Sequence, residues 1–383
     1  MFEPEQYELI DFGAGRKLER FGTELVDRPC PAADGIAIAD PEGWGRASAR
    51  FDQAPRAAGQ WSVGGEQPSP VHRSASVDGP SPADAVPGGA VVAAVPAAAV
   101  AVAAAADVVH AVPAAAAAGG GADAGSAASS AIEEGLVPWS VCHGRSRLLL
   151  QQSASGNVGL FPEQAANWVW IASQVDRCRN AMPKGRPRVL NLFGYTGGAS
   201  LAAAAAGAEV THVDASAPTV AWAKRNAEAS GMADLPIRWL VEDAIRFAQR
   251  ECRRGNRYEG VIADPPTYGH GPKGRAFKFA QHLPELLALC GELLGTPPES
   301  RADGRPPSSP TGRSDRFLVF SCHAPGFGPD DAASAVSSVL PTSDGARIAG
   351  RPLVLESRDG RKLAAGVSVR WHLAAPNDGE PIE

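Results

Sequence analysis

Three carboxylates stand where apolar runs end: Asp214 after Glu209 to Val213, Asp243 after Ile237 to Val241, and Asp264 after Tyr258 to Ala263. Short apolar runs of this kind read as buried strands, and open α/β sheets bind ligands outside the carboxyl ends of their strands. Three acids so placed can hold the hydroxyls and amines of a polar ligand. Pro265 and Pro266 follow Asp264; they carry no backbone N–H and stiffen the turn. The carboxylate and the nearby carbonyls are then offered to an amine or a ring nitrogen. Tyr268 follows at a distance from which it can stack on a planar base. One more group belongs with these. Cys322 ends the neighbourhood of the run Phe317 to Phe320, and His323 is beside it. A thiol there can act as a nucleophile, with His323 lowering its pKa or serving as base. A buried small side chain explains Cys322 equally well.

Something must position these groups, and the stretch Arg188 to Asp214 is the clearest element. Arg188 to Phe193 is an apolar strand that stops in Gly194-Tyr195-Thr196-Gly197-Gly198. Leu201 to Ala206 is strongly helix-forming, and a second strand leads to Asp214. Strand, glycine loop, helix, strand and acid make the first half of a doubly wound sheet. A dinucleotide fingerprint needs a second glycine where Thr196 stands, so that pattern fails. S-adenosylmethionine wants the same close backbone approach without a pyrophosphate, and its ribose hydroxyls want an acid such as Asp214, about 20 residues past the loop. Asp243 is then placed to accept from the adenine amino group. A structural turn with a surface Asp is the plainer alternative for the loop alone.

The remainder predicts continued α/β alternation. Helices are expected over Pro218 to Ser230, Ala244 to Arg254, His282 to Leu294 and Asp330 to Leu340. A final hairpin joins Leu353 to Ser357 and Val367 to Trp371 through Arg358-Asp359-Gly360. Upstream, Arg147 to Gln151 and Val158 to Phe161 read as two strands. They precede Pro162-Glu163-Gln164 and a helix with Trp168, Ile171 and Val175 on one face. Glu163 suits the helix dipole; Gln164 can both donate and accept within a pocket. Four segments result: a small β-rich stretch over 1–73, an Ala/Gly/Pro-rich insertion over 74–135, a β-hairpin with its connecting helix over 136–185, and the α/β unit over 186–375. The insertion lacks large apolar side chains, so it is expected to be disordered or loosely helical. Its longest apolar run, Ala97 to Val112, is too short to span a membrane.

Composition narrows the partners. The chain of 383 residues has a net charge of -6, so any nucleic-acid contact must come from a local patch. The arginines over Ala244 to Arg257 are one such stripe, although a solvated helix face explains them as well. Six scattered cysteines without a CxxC pair argue against a zinc site and against a disulfide framework, and fit a reducing cytosol.

Taken in order, GLFPEQ, VLNLFGYTGG, HVDAS, VEDA, IADPPTYGHGPKG and VFSCHAPG resemble the S-adenosylmethionine-dependent methyltransferases of the large-subunit rRNA type, which include cytosine carbon-5 enzymes. The likeness covers about Trp139 to Trp371. It implies a Rossmann-like class I methyltransferase sheet with a C-terminal β-hairpin, and an rRNA substrate. It implies that Gln164, Asn191, Gly194, Tyr195, Thr196, Gly197, Asp214, Asp243 and Asp264 line the cofactor. Pro265, Pro266 and Tyr268 would face the base, with Asp264 and Cys322 as catalytic groups. Thr267 occupies the position where some cytosine enzymes place cysteine, so Cys322 would supply the thiolate that attacks carbon 6. Methyl transfer to a base nitrogen, with Asp264 clamping the amine, is the alternative. A non-catalytic RNA-binding protein of the same fold is the third reading.

Overall fold

The computed structural model describes residues 1–52, 59–63, 139–182, 184–270, 276–295, 315–342 and 345–373. The expected insertion lies outside them. So do the side chains of residues 268–270 and 276.

The N-terminal strands β1 (Tyr7–Gly13), β2 (Arg16–Phe21), β3 (Glu24–Pro29), β4 (Ala49–Asp52) and β5 (Gln60–Val63) form one sheet in that order. Only β3 and β4 run parallel; the one-turn helix α1 (Pro41–Trp44) lies between them in sequence. Leu9, Leu18, Phe21, Val26 and Phe51 are buried in this sheet. A charge is buried with them: the fully enclosed Glu19 accepts from Arg28 Nε at 2.9 Å and Tyr7 Oη at 3.0 Å, with Lys17 Nζ at 3.1 Å. Burial alone would raise the Glu19 pKa, but the Arg28 and Lys17 charges more than offset it and hold the carboxyl below its ordinary value. The sheet is bound to the rest of the chain by indole donors: Trp61 Nε1 to the Ser153 carbonyl at 2.8 Å, and Trp139 Nε1 to the Phe21 carbonyl at 3.1 Å.

The next strands are β6 (Ser140–His143) and β7 (Ser146–Leu149), one element earlier than the expected pair. Gly144 in the left-handed region supplies the two-residue turn between them. Val158 to Phe161 is not a strand. Gly159 has φ 91°, and a Cβ there would meet the Trp222 ring at 2.1 Å. A short 3-10 turn over Pro162–Gln164 then leads into α2 (Ala165–Ala181), whose Trp168, Ile171 and Val175 are buried as expected.

The α/β unit follows. Its first half is β8 (Arg188–Leu192), α3 (Gly198–Ala205), β9 (Glu209–Asp214), α4 (Ala217–Ala229), β10 (Ile237–Val241) and α5 (Ala244–Arg253). Its second half is β11 (Gly260–Ala263), the small pair β12 (Tyr268–His270) and β13 (Ala276–Lys278), α6 (Phe279–Leu293), β14 (Arg316–Cys322), α7 (Pro329–Ser337), β15 (Ala346–Glu356) and β16 (Lys362–Leu373). The seven-stranded sheet has the order β10-β9-β8-β11-β14-β16-β15. Strands β10 to β14 in that order are parallel, and β16 and β15 close the sheet antiparallel. The expected fold class is therefore found: a Rossmann-like α/β sheet with a terminal hairpin, after a small β-rich region. The strand order reverses between β8 and β11, and the crevice outside their carboxyl ends is where such sheets take ligands. No helix among the described residues is long and apolar enough to cross a membrane.

The Glu19 cluster gives a stability prediction. Glu19→Ala leaves Arg28 buried without its carboxylate, which costs about 3–5 kcal/mol for a broken buried pair. Denaturant unfolding of the variant should show a loss of that size, and a change below about 1 kcal/mol would show that Arg28 is satisfied elsewhere.

Candidate functional site

The loop after β8 is held in an unusual backbone course. Phe193, Tyr195 and Gly197 all lie at positive φ, at 59°, 49° and 91°. Two of the three are not glycine, so their conformation is imposed by what surrounds them. What surrounds them is tight: a Cβ on Gly194 would meet the His212 ring at 2.4 Å, and one on Gly198 would meet the Trp168 ring at 2.4 Å. Thr196 Oγ1 donates to the Gly159 carbonyl at 2.7 Å, and Asn226 Nδ2 donates to the Thr196 carbonyl at 2.8 Å. Below the loop Asn191 Nδ2 bonds Ser200 Oγ at 2.9 Å, and Ser200 Oγ meets His212 Nδ1 at 3.0 Å. Burial pushes the His212 pKa down to about 3, so the imidazole under the loop is neutral.

Asp214 backs this loop. Its two carboxylate oxygens accept from the backbone N–H groups of Tyr195 and Ser216, each at 2.9 Å. Burial raises its pKa, and those two bonds only partly offset it. Each oxygen keeps acceptor capacity toward the cleft. Asp243 is different. It caps α5, accepting from the Arg246 N–H at 2.9 Å, and still lines the cleft beside Ala244 and Ile245.

Asp264 is the most constrained acid. Gln164 Nε2 donates to its Oδ2 at 3.0 Å and to Ser321 Oγ at 3.1 Å. Asn167 Nδ2 holds the other end of that amide at 2.7 Å, and Asn167 Oδ1 accepts from Ser368 Oγ at 3.1 Å and Arg370 Nε at 3.0 Å. The second oxygen of Asp264, Oδ1, is buried without a protein partner. Burial raises the Asp264 pKa; the nearby His323 charge and a bond from Ser321 only partly offset it. His323 Nε2 lies 3.1 Å from Glu163 Oε1, and Glu163 Oε2 is also buried and unpaired.

Two adjoining cavities collect these groups. A small one of about 60 Å³ is lined by Gln164, Asn191, Gly194, Tyr195, Thr196 and Gly197. A larger one of about 320 Å³ is lined by Asp214, Asp243, Pro265, Pro266, Phe277 and His323. Phe161, Phe193, Tyr195 and Asp264 belong to both, so the two form one cleft. All nine expected cofactor residues and both prolines therefore come together. The Tyr268 side chain lies outside the described residues. Cys322 does not join them: it is fully buried in the core with Leu318, Phe320 and Val369, and lines neither cavity. Burial pushes its thiol up to about 11, slightly countered by the Ala324 N–H and reinforced by the Asp264 charge. Of the two readings the sequence left open for Cys322, this burial favours the small core side chain over the nucleophile. Asn167 and Ser321 have no part in the sequence reading, and Glu163 and His323, each named there for another role, face each other here. Only Asn167 had a legible signal, its position three residues after Gln164 on one helix face.

Residues 85–302 match the family model described as S-adenosylmethionine-dependent methyltransferase. The ribosomal RNA large subunit methyltransferase K/L of Shewanella baltica is 41% identical over 140 residues, which are 36% of this chain and 17% of that protein. The Shewanella oneidensis protein of the same description is 40% identical over 113 residues, 29% of this chain and 15% of its own. The chain thus matches less than a fifth of the length of these curated relatives. The crystal structure of the SAM-dependent methyltransferase from Agrobacterium tumefaciens covers 96% of this chain and 91% of its own, with TM-score 0.67 and 28% identity. The structure of SMU.776 complexed with SAH, with 12% identity and TM-score 0.55, shares the fold over 97% of this chain and 76% of its own.

Two measurements follow from the cleft. Asp214→Ala should weaken S-adenosylmethionine binding by about 1–3 kcal/mol, the scale of a hydrogen bond to a charged group. Calorimetry with the cofactor, and with a nicotinamide dinucleotide that should give no signal, checks this. His212 adds a pH dependence. The unfolded chain binds its proton near the ordinary value of about 6.5, while the folded chain resists until about 3. The stability tied to the neutral ring is thus fully present above about 6.5 and lost as pH falls through that window. Between about pH 7 and 5 the wild type should lose melting temperature faster than His212→Asn; parallel curves would remove His212 from the account.

Proposed function

Because the chain belongs to the S-adenosylmethionine-dependent methyltransferase family, we propose that its methyl acceptor is a base of RNA, of the large ribosomal subunit, and that the acceptor atom is a base nitrogen. S-adenosylmethionine supplies an electrophilic methyl group when bound. The glycine loop fits such a cofactor: Gly194 presses on His212 with no room for a side chain, and Asp214 keeps free acceptor sites. Asp214 would take the ribose hydroxyls, Asp243 the adenine amine, and the Tyr195 to Gly197 backbone the amino-acid end.

The single observation that carries the nitrogen reading is the buried, unpaired Oδ1 of Asp264, next to a turn without backbone donors. An unsatisfied buried acceptor calls for a donor from a ligand. An amine or ring N–H of the base meets that need, and the Pro265 and Pro266 turn shapes the slot beside it. Gln164 fixes the carboxylate so that the free oxygen keeps its aim. Carbon-5 chemistry on cytosine is supported less well, since it needs a thiolate and Cys322 is sealed in the core. The rRNA assignment is supported by the description of the partly matching Shewanella proteins and by the motif order. A cytoplasmic setting goes with it and with the six free cysteines.

Cys322→Ala should keep turnover within about threefold of wild type, because a core Cys→Ala change alters packing rather than chemistry. Asp264→Asn should bind cofactor yet lose about 100-fold or more in transfer, the scale of a general acid–base or polar positioning group. Nucleoside mass spectrometry of rRNA from a deletion strain would identify the atom. A missing 5-methylcytidine, together with an inactive Cys322→Ala protein, would reinstate the carbon-5 reading.

A further inference from the structure

The outer hairpin carries positive charge that the cleft does not use. Side chains alternate faces along a strand, and the β15/β16 register places Arg347 opposite His372, Ala349 opposite Arg370, and Arg351 opposite Ser368. Arg347, Arg351, Arg370 and His372 therefore share one face. That face is turned toward α2. Arg370 bonds Asn167 and lies over the Trp170 ring at 5.6 Å; Ser368 also bonds Asn167; the His372 and Trp170 rings are 6.1 Å apart. Arg177 of α2 belongs to the same patch and pairs with Asp315 at 3.9 Å. Among the described residues, Arg347, Arg351 and Arg370 make no ion pair. Two polar atoms of the patch, Arg351 Nε and His372 Nδ1, are buried and have no partner.

The electrostatics agree with a site lacking its counter-charge. Burial and the neighbouring Arg351 bring Arg370 down to about 10. Burial, Arg177 and Arg347 bring His372 down to about 4. Buried charge is costly unless it is paired, and of the four arginines only Arg177 has a carboxylate, Asp315, beside it among the described residues. The patch also has length. From the Arg351–Ser368 level to the Arg347–His372 level is four residues, on the order of 13 Å of strand. That suits several phosphates of one backbone better than a single small anion. It also touches the cleft: Arg370 holds Asn167, Asn167 holds Gln164, and Gln164 holds Asp264.

We propose that the α2-facing side of the β15/β16 hairpin is a phosphate-backbone site that holds the RNA strand leading to the Asp264 cleft. The inference rests on the RNA reading above and adds where the strand lies. Arg347 forms its exposed rim, the half-buried Arg351 lies beside it, and Arg370 and His372 form its floor. Phosphate contacts set register without reading sequence, so the strip orients the strand and the cleft selects the base.

The test uses the full chain and an in vitro transcript of large-subunit rRNA, with affinity measured by filter binding between about 50 and 200 mM salt. The Arg347→Gln, Arg351→Gln double variant should bind the transcript at least about tenfold more weakly at low salt. The slope of log affinity against log salt should shrink by about 1.4, two single-strand phosphates. S-adenosylmethionine affinity and melting temperature should stay unchanged. Should the double variant fail to fold, Arg347→Gln alone, at an exposed rim position, should lower the slope by about 0.7. If wild type binds and methylates RNA while the variants match it in affinity and slope, the strip is wrong and the RNA reading stands. If wild type neither binds nor methylates the transcript, both fall. Competition by polyglutamate as effective as by RNA of equal charge would make the strip a peptide site and overturn the proposal.

Discussion

One side-chain amide holds the active region together. Gln164 donates a single nitrogen to Asp264 and Ser321 and gives its oxygen to Asn167. Asp264 follows β11, Ser321 lies within β14, and Asn167 is gripped by Ser368 and Arg370 of β16. Four elements distant in sequence are thus fixed to one another through a planar group that has no spare donor. A carboxylate in a low-dielectric crevice would otherwise swing or take a proton. Here its orientation is set by neighbours that are themselves set, which is what a group meeting a reacting atom requires.

The glycine loop serves the same end by a different cost. Left-handed backbone at Phe193 and Tyr195 is unfavourable, and it persists because His212, Trp168 and the Asp214 carboxylate leave the loop no other course. The strain lays residues 194–197 along the wall of the cleft, with the Tyr195 N–H turned onto Asp214 and the Gly197 N–H onto the Gly194 carbonyl. His212 helps by being neutral: a charged imidazole could not stay under Gly194 in that apolar setting.

Much of this was legible in the chain. Parallel strands buried on both faces are largely apolar runs, so β8, β9, β11 and β14 stand out, with the edge strand β10 beside them, and the acids at their ends follow from the topology of such sheets. Gln164 could be singled out because an amide can both donate and accept within a pocket. What could not be read was depth. Cys322 and Ser321 are adjacent in one strand, and the pleat sends one side chain to the cleft and the other to the core. Sequence fixes neither which is which nor the register that decides it. Val158 to Phe161 was misjudged for a related reason: its composition suits a strand, but Gly159 is pressed so close to Trp222 that only a left-handed turn fits. In the arginine stripe of α5 and the residues after it, Arg250 is paired with Glu242 and Arg254 with Glu251, as on an ordinary helix face. The hairpin also carries unpaired charge, which strand alternation hid.

That hairpin ends the sheet, and an end strand has a hazard of its own. β15 is eleven residues long and ends the sheet among the described residues, so a row of its backbone donors and acceptors faces outward there. Arg347 and Arg351 put like charges along that border, Pro352 removes a donor, and the bulge between Pro352 and Val354 twists the strand out of line. Two copies meeting edge to edge would have to bring these arginines together and match a broken ladder. The charge that draws a polyanion to this rim therefore also keeps the protein from polymerising through it, and neutralising the rim would relax both constraints together.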